Sequence, residues 1–418
     1  MFKNLKLIFS PKNKDIRKRI GFTLFGLLIF AVGTTIPVPG TEGAISNLGL
    51  WELINAIGGG ALKNFSIFAL GVMPYISASI ITGILQMDII PYFTELKDSG
   101  EQGRQKINQI NRYIGIVLAF LQGFAMAFTK GAGTVEYLKI ALILTGGTAF
   151  LLWLGDQITQ KGMGNGISLI IMAGIISTVP KMFIDTFKTL ILNHTGSLAM
   201  GIVGFIIFVL VYLLIVVGVI FEESSERRIP IQYSNRTTSA YGQKQSYIPF
   251  KLNSAGVMPV IFASVILSIP TFIGGILGND SGFTKFVTNY INYTTPTGFV
   301  LYIILIFVFG YFYTNMQINP KELAKNLNKS GGYIPGIRPG VETEKYIKKI
   351  LYRITFLGST FIAAIAGLPI VFSSFISTGL PASVSIGGTG VLIVVGVAIE
   401  TCKQLESSLI NRNYKGAR

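Results

Sequence analysis

Gly71–Ser79 reads GVMPYISAS and Gly256–Ser264 reads GVMPVIFAS; seven of the nine positions match, at an offset of 185 residues. Each segment sits in a long apolar run with Gly and Pro near its start. A membrane protein assembled from two related halves carries paired, Gly/Pro-interrupted hydrophobic segments of this kind, and they point to a transport site where the halves meet. How much one short match weighs depends on the topology around it.

The composition belongs in a bilayer. Mean hydropathy is +0.58, half of the residues are hydrophobic and only 13% are charged, where a soluble chain carries about 25%. The 48 glycines and 30 phenylalanines suit membrane helices. A single cysteine, Cys402, excludes an intramolecular disulfide and a cysteine metal cluster. The lone histidine, His194, falls in a short polar loop and reads as a loop residue.

A span needs about 20 mainly apolar residues. Ten stretches qualify, near 20–38, 66–86, 110–129, 137–155, 166–184, 198–220, 254–274, 297–315, 353–372 and 387–406. The second is interrupted by Pro74 and the fifth begins in the glycine-rich GMGNGIS. Residues 49–63 are too short and too polar to span and read as a re-entrant piece, tolerable only inside protein. The expected fold is an all-α integral membrane protein with ten transmembrane helices. Charge sets its orientation. With the N-terminus in the cytoplasm, ten spans return the C-terminus there, and the cytoplasmic pieces hold 29 of the 35 Lys and Arg. They carry a net +15 against +1 outside, a strong positive-inside bias. An odd number of spans would spoil this partition.

Residues 1–19 form a basic amphipathic stretch, and the apolar run after it is too long for a cleavable signal core. The stretch is expected to lie on the anionic lipids of the inner leaflet, with a solvated basic tail as the other reading. Residues 407–418 are expected to form a cytoplasmic tail. Two cytoplasmic loops stand out by length: 221–253, with FEESSERRIPIQY and KQSYIPFKLN, and 316–352, with NPKELAKNLNKSGGYIPGIRPGVETEKYIKKI. Prolines flanking their charged residues suggest a hairpin with rigid edges. Their aromatic and arginine content favours a docking surface over disorder.

No enzyme motif is present: no P-loop, no HExxH and no nucleophile elbow, so no catalytic residue, cofactor or metal is expected. If the protein uses ATP, a partner must hydrolyse it. A secondary transporter of a small solute, the main alternative, normally buries charged residues at a coupling-ion site. Here Asp156 and Glu400 fall at span ends, and the polar residues inside or beside spans are neutral: Ser77, Ser79, Gln122, Ser168, Asn253 and Ser264. An insertase or scaffold would need a charged hydrophilic groove.

Six motifs, in order, carry a resemblance across the whole chain: SIFALGVMPYISASI (66–80), GNGISLIIMAGI (164–175), RRIPIQY (227–233), YIPFKLNSAGVMPVIFAS (247–264), GGYIPGIRPG (331–340) and GGTGVLIVVGVAIETCKQLE (387–406). The chain resembles the SecY/translocon alpha-subunit family, the channel subunits of protein-conducting translocons. The resemblance implies ten helices in two inverted, pseudo-symmetric halves around a central pore. These correspond here to residues 20–196 and 197–406. It implies a passive, gated channel for secretion across, and lateral insertion into, the bacterial plasma membrane.

Carried over residue by residue, the family's pore ring falls on Val72, Ile76, Ile167, Ile171, Ile261 and Ile393. Its plug falls on 52–65, with Gly58, Gly59 and Gly60 as hinge. Its lateral gate, between the second and seventh spans, falls on Ser77, Ser79, Thr82, Gln122, Asn253 and Ser264. Arg227, Arg228 and Arg338 match positions that dock the SecA ATPase or the ribosome. The implied partners are SecE, SecG, SecA, the ribosome, signal sequences and translocating polypeptides. One departure stands out: relatives often carry Gln where this chain has Thr82-Gly83, so the polar gate patch expected around Gln122 and Asn253 either loses a partner or gains Thr82 in its place.

Overall fold

In the computed structural model each of the ten apolar stretches carries a helix. The structure describes residues 14–41, 55, 58, 60–86, 90–128, 133–192, 198–233, 246–277, 281–292, 295–375 and 382–415. Most of the amphipathic stretch expected at 1–19, residues 52–54, 56 and 57 of the expected plug, its hinge residue Gly59 and the end of the C-terminal tail lie outside the described residues.

The helices are α1 (Lys14–Gly33), α2 (Met73–Leu85), α3 (Pro91–Asp98), α4 (Gly100–Phe128), α5 (Thr134–Lys161), α6 (Gly166–Phe187) and α7 (Leu198–Ser224). After a first pair of strands come α8 (Met258–Leu277), α9 (Gly282–Phe286), α10 (Pro296–Gln317), α11 (Pro320–Lys329), α12 (Val341–Phe375) and α13 (Ala382–Lys415). Among the described residues six helices, α4, α5, α6, α7, α10 and α12, are long and apolar enough to cross a membrane. The apolar helices α2 and α8 are shorter. On α7, Leu210, Leu214, Val217 and Phe221 follow one another on one face and are 58–68% exposed. A continuous apolar stripe of that kind is tolerable against lipid and costly against water.

Local sequence explains the helix starts. Asn165 precedes α6 and its Oδ1 accepts from Ile167 N at 3.1 Å and Ser168 N at 3.3 Å, satisfying two otherwise orphaned N–H groups. Thr295 does the same for α10, accepting from Gly298 N at 3.3 Å, with Pro296 pre-set for the first turn. Helices α2 and α8 begin alike. Each starts at Met, with Pro as its second residue, two positions after a left-handed glycine: Gly71 at φ 56° and Gly256 at φ 60°.

Helices α1 to α6 pack against one another, as do α7, α8, α10, α12 and α13. The two groups meet where α8 touches α2 and α4, and where α13 touches α6. One large apolar core runs through both groups, from Phe30 to Val397.

A small sheet departs from the helical plan. Strand β1 (Glu226–Tyr233) pairs antiparallel with β2 (Ser246–Lys251), with Ile229 opposite Ile248. This is the hairpin expected in the 221–253 loop. Its other side pairs with β3 (Gly332–Tyr333) of the 316–352 loop, so the order is β2-β1-β3. Side chains alternate along β1: Ile229 and Ile231 are buried, while Arg228, Pro230 and Gln232 are exposed. The buried face packs on Leu327, Ile334, Ile347 and Leu351. The two long loops therefore form one unit with its own core.

Candidate functional site

The six aliphatic residues expected to form a ring come from α2, α6, α8, α13 and the turn before α2. Val72, Ile76, Ile171, Ile261 and Ile393 are only 2–6% exposed, and Ile167 is half-buried. Ile76, Ile167, Ile171, Ile261 and Ile393 line one cavity of about 370 Å³. Val72 lies one turn below Ile76, whose N–H donates to Val72 O at 3.2 Å. Four helices far apart in sequence thus point aliphatic side chains into one space at the junction of the two helix groups. Branched aliphatics offer no hydrogen bond there. A narrow ring of such side chains is the kind of apolar surface that dewets and resists ions.

Beside this space runs the seam between α2 and α8. The residues expected there divide into three kinds. Ser77 and Ser264 are buried, and each hydroxyl donates to its own helix, Ser77 to Met73 O at 3.1 Å and Ser264 to Val260 O at 2.8 Å. Bonds of this i−4 type take the hydroxyl out of play across the seam. Ser79 and Thr82 line the cavity. Thr82 is fully buried, and its hydroxyl meets both Ala78 O and Oδ1 of Asn111 on α4. Gln122 and Asn253 do not join into a polar patch. Asn253 Nδ2 donates to Gly256 O at 3.0 Å, closing the turn that starts α8. Gln122 Oε1 is buried with no hydrogen-bond partner among the described residues. The physical reason is reach: Asn253 is held by its own turn, and Gln122 lies about 16 Å further along α4 than Asn111. The Thr82 to Asn111 contact instead ties α2 to α4, inside the first helix group. Sequence reasoning named Thr82 but missed Asn111; two isolated polar residues 29 positions apart give no periodic signal.

Gly58 and residues 60–71 form tight turns packed into the core. Gly60 takes φ 77° and its N–H donates to Asn55 O at 2.8 Å. Asn55 Oδ1 also accepts from Lys63 N at 2.8 Å. Gly58 is buried, and Ala61, Leu62 and Phe65 are at most 1% exposed. Val38 N donates to Phe65 O at 2.9 Å and Ile67 N to Ile36 O at 3.0 Å, pinning this segment to the chain after α1. Phe65 sits at φ 45°, a conformation a bulky side chain rarely adopts. The strain is held by complete burial.

The expected docking arginines are all exposed. Arg228 lies 4.9 Å from the centre of the Tyr247 ring and 3.7 Å from Glu226 Oε2. A cation over an aromatic face at an exposed site is worth about 0.5–1 kcal/mol, enough to orient the guanidinium without sequestering it. Arg338 stands on the turn between β3 and α12. Gly336 and Gly340 on either side are left-handed, at φ 80° and 99°, Ile334 anchors the turn in the core, and Thr343 Oγ1 donates to Arg338 O at 2.9 Å. Its backbone is fixed and its side chain free. Asp156, at the end of its span, pairs with Arg112 Nη2 at 2.6 Å, joining α5 to α4.

The fold is that of an all-α, multi-span membrane channel, with an aliphatic-lined cavity at the junction of two helix groups. The sequence profile of the SecY family matches residues 66–402. The protein translocase subunit SecY of Bacillus subtilis is 48% identical over 418 residues, covering 96% of each chain. The SecY subunit of Staphylococcus aureus strain NCTC 8325 is 48% identical over 423 residues, covering 97% of each. The chain belongs to the SecY family. Among solved structures, one of a protein-conducting channel aligns with TM-score 0.66 at 19% identity over 94% of this chain and 92% of that one. One concerned with the plug domain of a SecY protein aligns with TM-score 0.67 at 21% identity over the same shares. At these identities the likeness is one of fold.

Proposed function

We propose that this chain is the protein-conducting channel of a bacterial Sec translocase, for secretion across the plasma membrane and lateral insertion into it. The observation that carries the reading is the convergence of Ile76, Ile167, Ile171, Ile261 and Ile393, from four helices, on one cavity beside the α2–α8 seam. The channel performs no covalent chemistry. SecA or a translating ribosome supplies the driving force, and SecE and SecG complete the complex. Ten spans in two inverted halves, residues 20–196 and 197–406, place both termini and the three-stranded sheet in the cytoplasm, in keeping with the charge partition. Arg227, Arg228 and Arg338 then face the motor or the ribosome, with guanidinium forks suited to carboxylate or phosphate.

In this account the ring closes the pore, residues 52–65 plug its outer mouth, and helices α2 and α8 part to admit a signal sequence. The test is reconstitution of the complex in liposomes. In a Cys402→Ser background, Ile261→Cys is oxidatively cross-linked to a secretory precursor that carries one cysteine and is stalled in transit by a folded C-terminal domain. A link that depends on ATP and the motor supports the reading; no link, with the precursor demonstrably stalled, overturns it.

A further inference from the structure

One wall of the cavity is not used by the ring. Along α4, Arg104, Asn108 and Asn111 stand at i, i+4 and i+7 and so share one face; all three line the cavity. Arg104 and Asn108 are exposed, while Asn111 is 7% exposed. Oδ1 of Asn111 is taken by the Thr82 hydroxyl. Its two amide N–H groups have no partner among the described residues. Arginine carries only donors, and each asparagine amide carries two. The lining also has an apolar part, to which Met258, Phe262 and Met316 belong. Methionine adapts its shape to what it meets.

A channel that passes many sequences can hold each of them by what they share, the backbone. We propose that Arg104, Asn108 and Asn111 form a donor row that takes backbone carbonyl oxygens of an extended segment of the transported polypeptide, whose apolar side chains turn to Met258, Phe262 and Met316. The proposal rests on the channel reading above and adds the conformation and the chemical group that are recognised. The spacing suits it. Successive members of the row rise by about 6 Å and 4.5 Å along the helix. Carbonyls on one side of an extended chain recur every ~6.7 Å, and the mobile side chains absorb the difference. A helical segment offers free carbonyls only in its last turn, so the row favours extended chain over helix. Each bond is individually weak against water, so the chain is held yet slides on.

The test uses the same reconstituted complex and stalled precursor, with the precursor cysteine moved one residue at a time through the stalled segment. Asn108→Cys, in the Cys402→Ser background, is expected to cross-link at alternate positions. Cross-links recurring every three to four residues mean a helix and overturn the proposal. Links from Ile261→Cys with none from Asn108→Cys overturn the donor row alone; links from neither overturn the channel reading. A second pair of variants reads the donors directly. Asn108→Gln keeps its N–H groups and holds the stalled chain as the parent does. Asn108→Asp has none, and the chain slides back roughly fivefold faster, the loss of about one hydrogen bond. Equal release from Gln and Asp variants overturns the proposal.

Discussion

Gly71 and Gly256, 185 residues apart, adopt the same left-handed backbone, φ 56° and 60°, and each stands two residues before the methionine that opens a helix. The GVMP match is therefore a match of structure as well as of letters. It creates the two short apolar helices that face each other across the seam.

The equivalence makes a stability prediction. Among the described residues a Cβ at Gly256 meets nothing within 4 Å, and one at Gly71 meets only Gly58 Cα at 3.7 Å. The cost of Gly71→Ala or Gly256→Ala is therefore that of the backbone, about 1–2 kcal/mol each. Thermal unfolding of the purified complex checks it: both variants melt below the parent by similar amounts. A variant that melts with the parent contradicts the left-handed assignment at that position.

Ile76 and Ile261 are 6% and 3% exposed and line the same cavity. Replacing both with Asn wets the constriction, and ion conductance across a reconstituted bilayer rises. The closed state also loses apolar packing, so precursors with weak signal sequences pass more readily. Unchanged conductance in a folded double variant contradicts the ring.

Arg338 is exposed on a turn whose backbone is fixed by flanking left-handed glycines and the Thr343 bond. Arg338→Glu leaves the fold intact but sets like charges against a partner's carboxylates, a loss of a few kcal/mol at a docking surface. ATP-driven export of a precursor and SecA affinity both fall. Parent values for both refute the assignment.

Thr82 and Asn111 give a sharper structural prediction. Thr82→Val keeps the shape but removes the hydroxyl, leaving Asn111 Oδ1 without its donor. The loss is about 1–3 kcal/mol, read as a lower melting temperature. Thr82→Ser restores most of it. If Val melts with the parent, the contact is not holding α2 to α4.

Much of this was readable in the sequence. The helices carried by the apolar stretches followed from run length, and the hairpin of the 221–253 loop followed from the prolines flanking its charged residues. The ring positions did not follow from periodicity, because isoleucine is abundant throughout; they came from the motif resemblance. The third strand was invisible. Gly332–Tyr333 is two residues long and pairs with Gln232–Tyr233, about a hundred residues earlier, so no local pattern marks it. The contact of Thr82 with Asn111 was hidden for the same reason, and the turn that consumes the Asn253 amide is a tertiary detail of how α8 begins.

The account depends most on α2 and α8 being the moving seam. In a Cys402→Ser background, cysteines at Ser79 and Ser264, or one turn along where the Cα atoms come within about 7 Å, are joined across it by oxidation, with a control pair joined within α1–α6. The account predicts that the seam disulfide stops both precursor secretion and membrane-protein insertion, that reduction restores both, and that the control link does neither. A seam linked in full through which precursor still passes at the parent rate would contradict it.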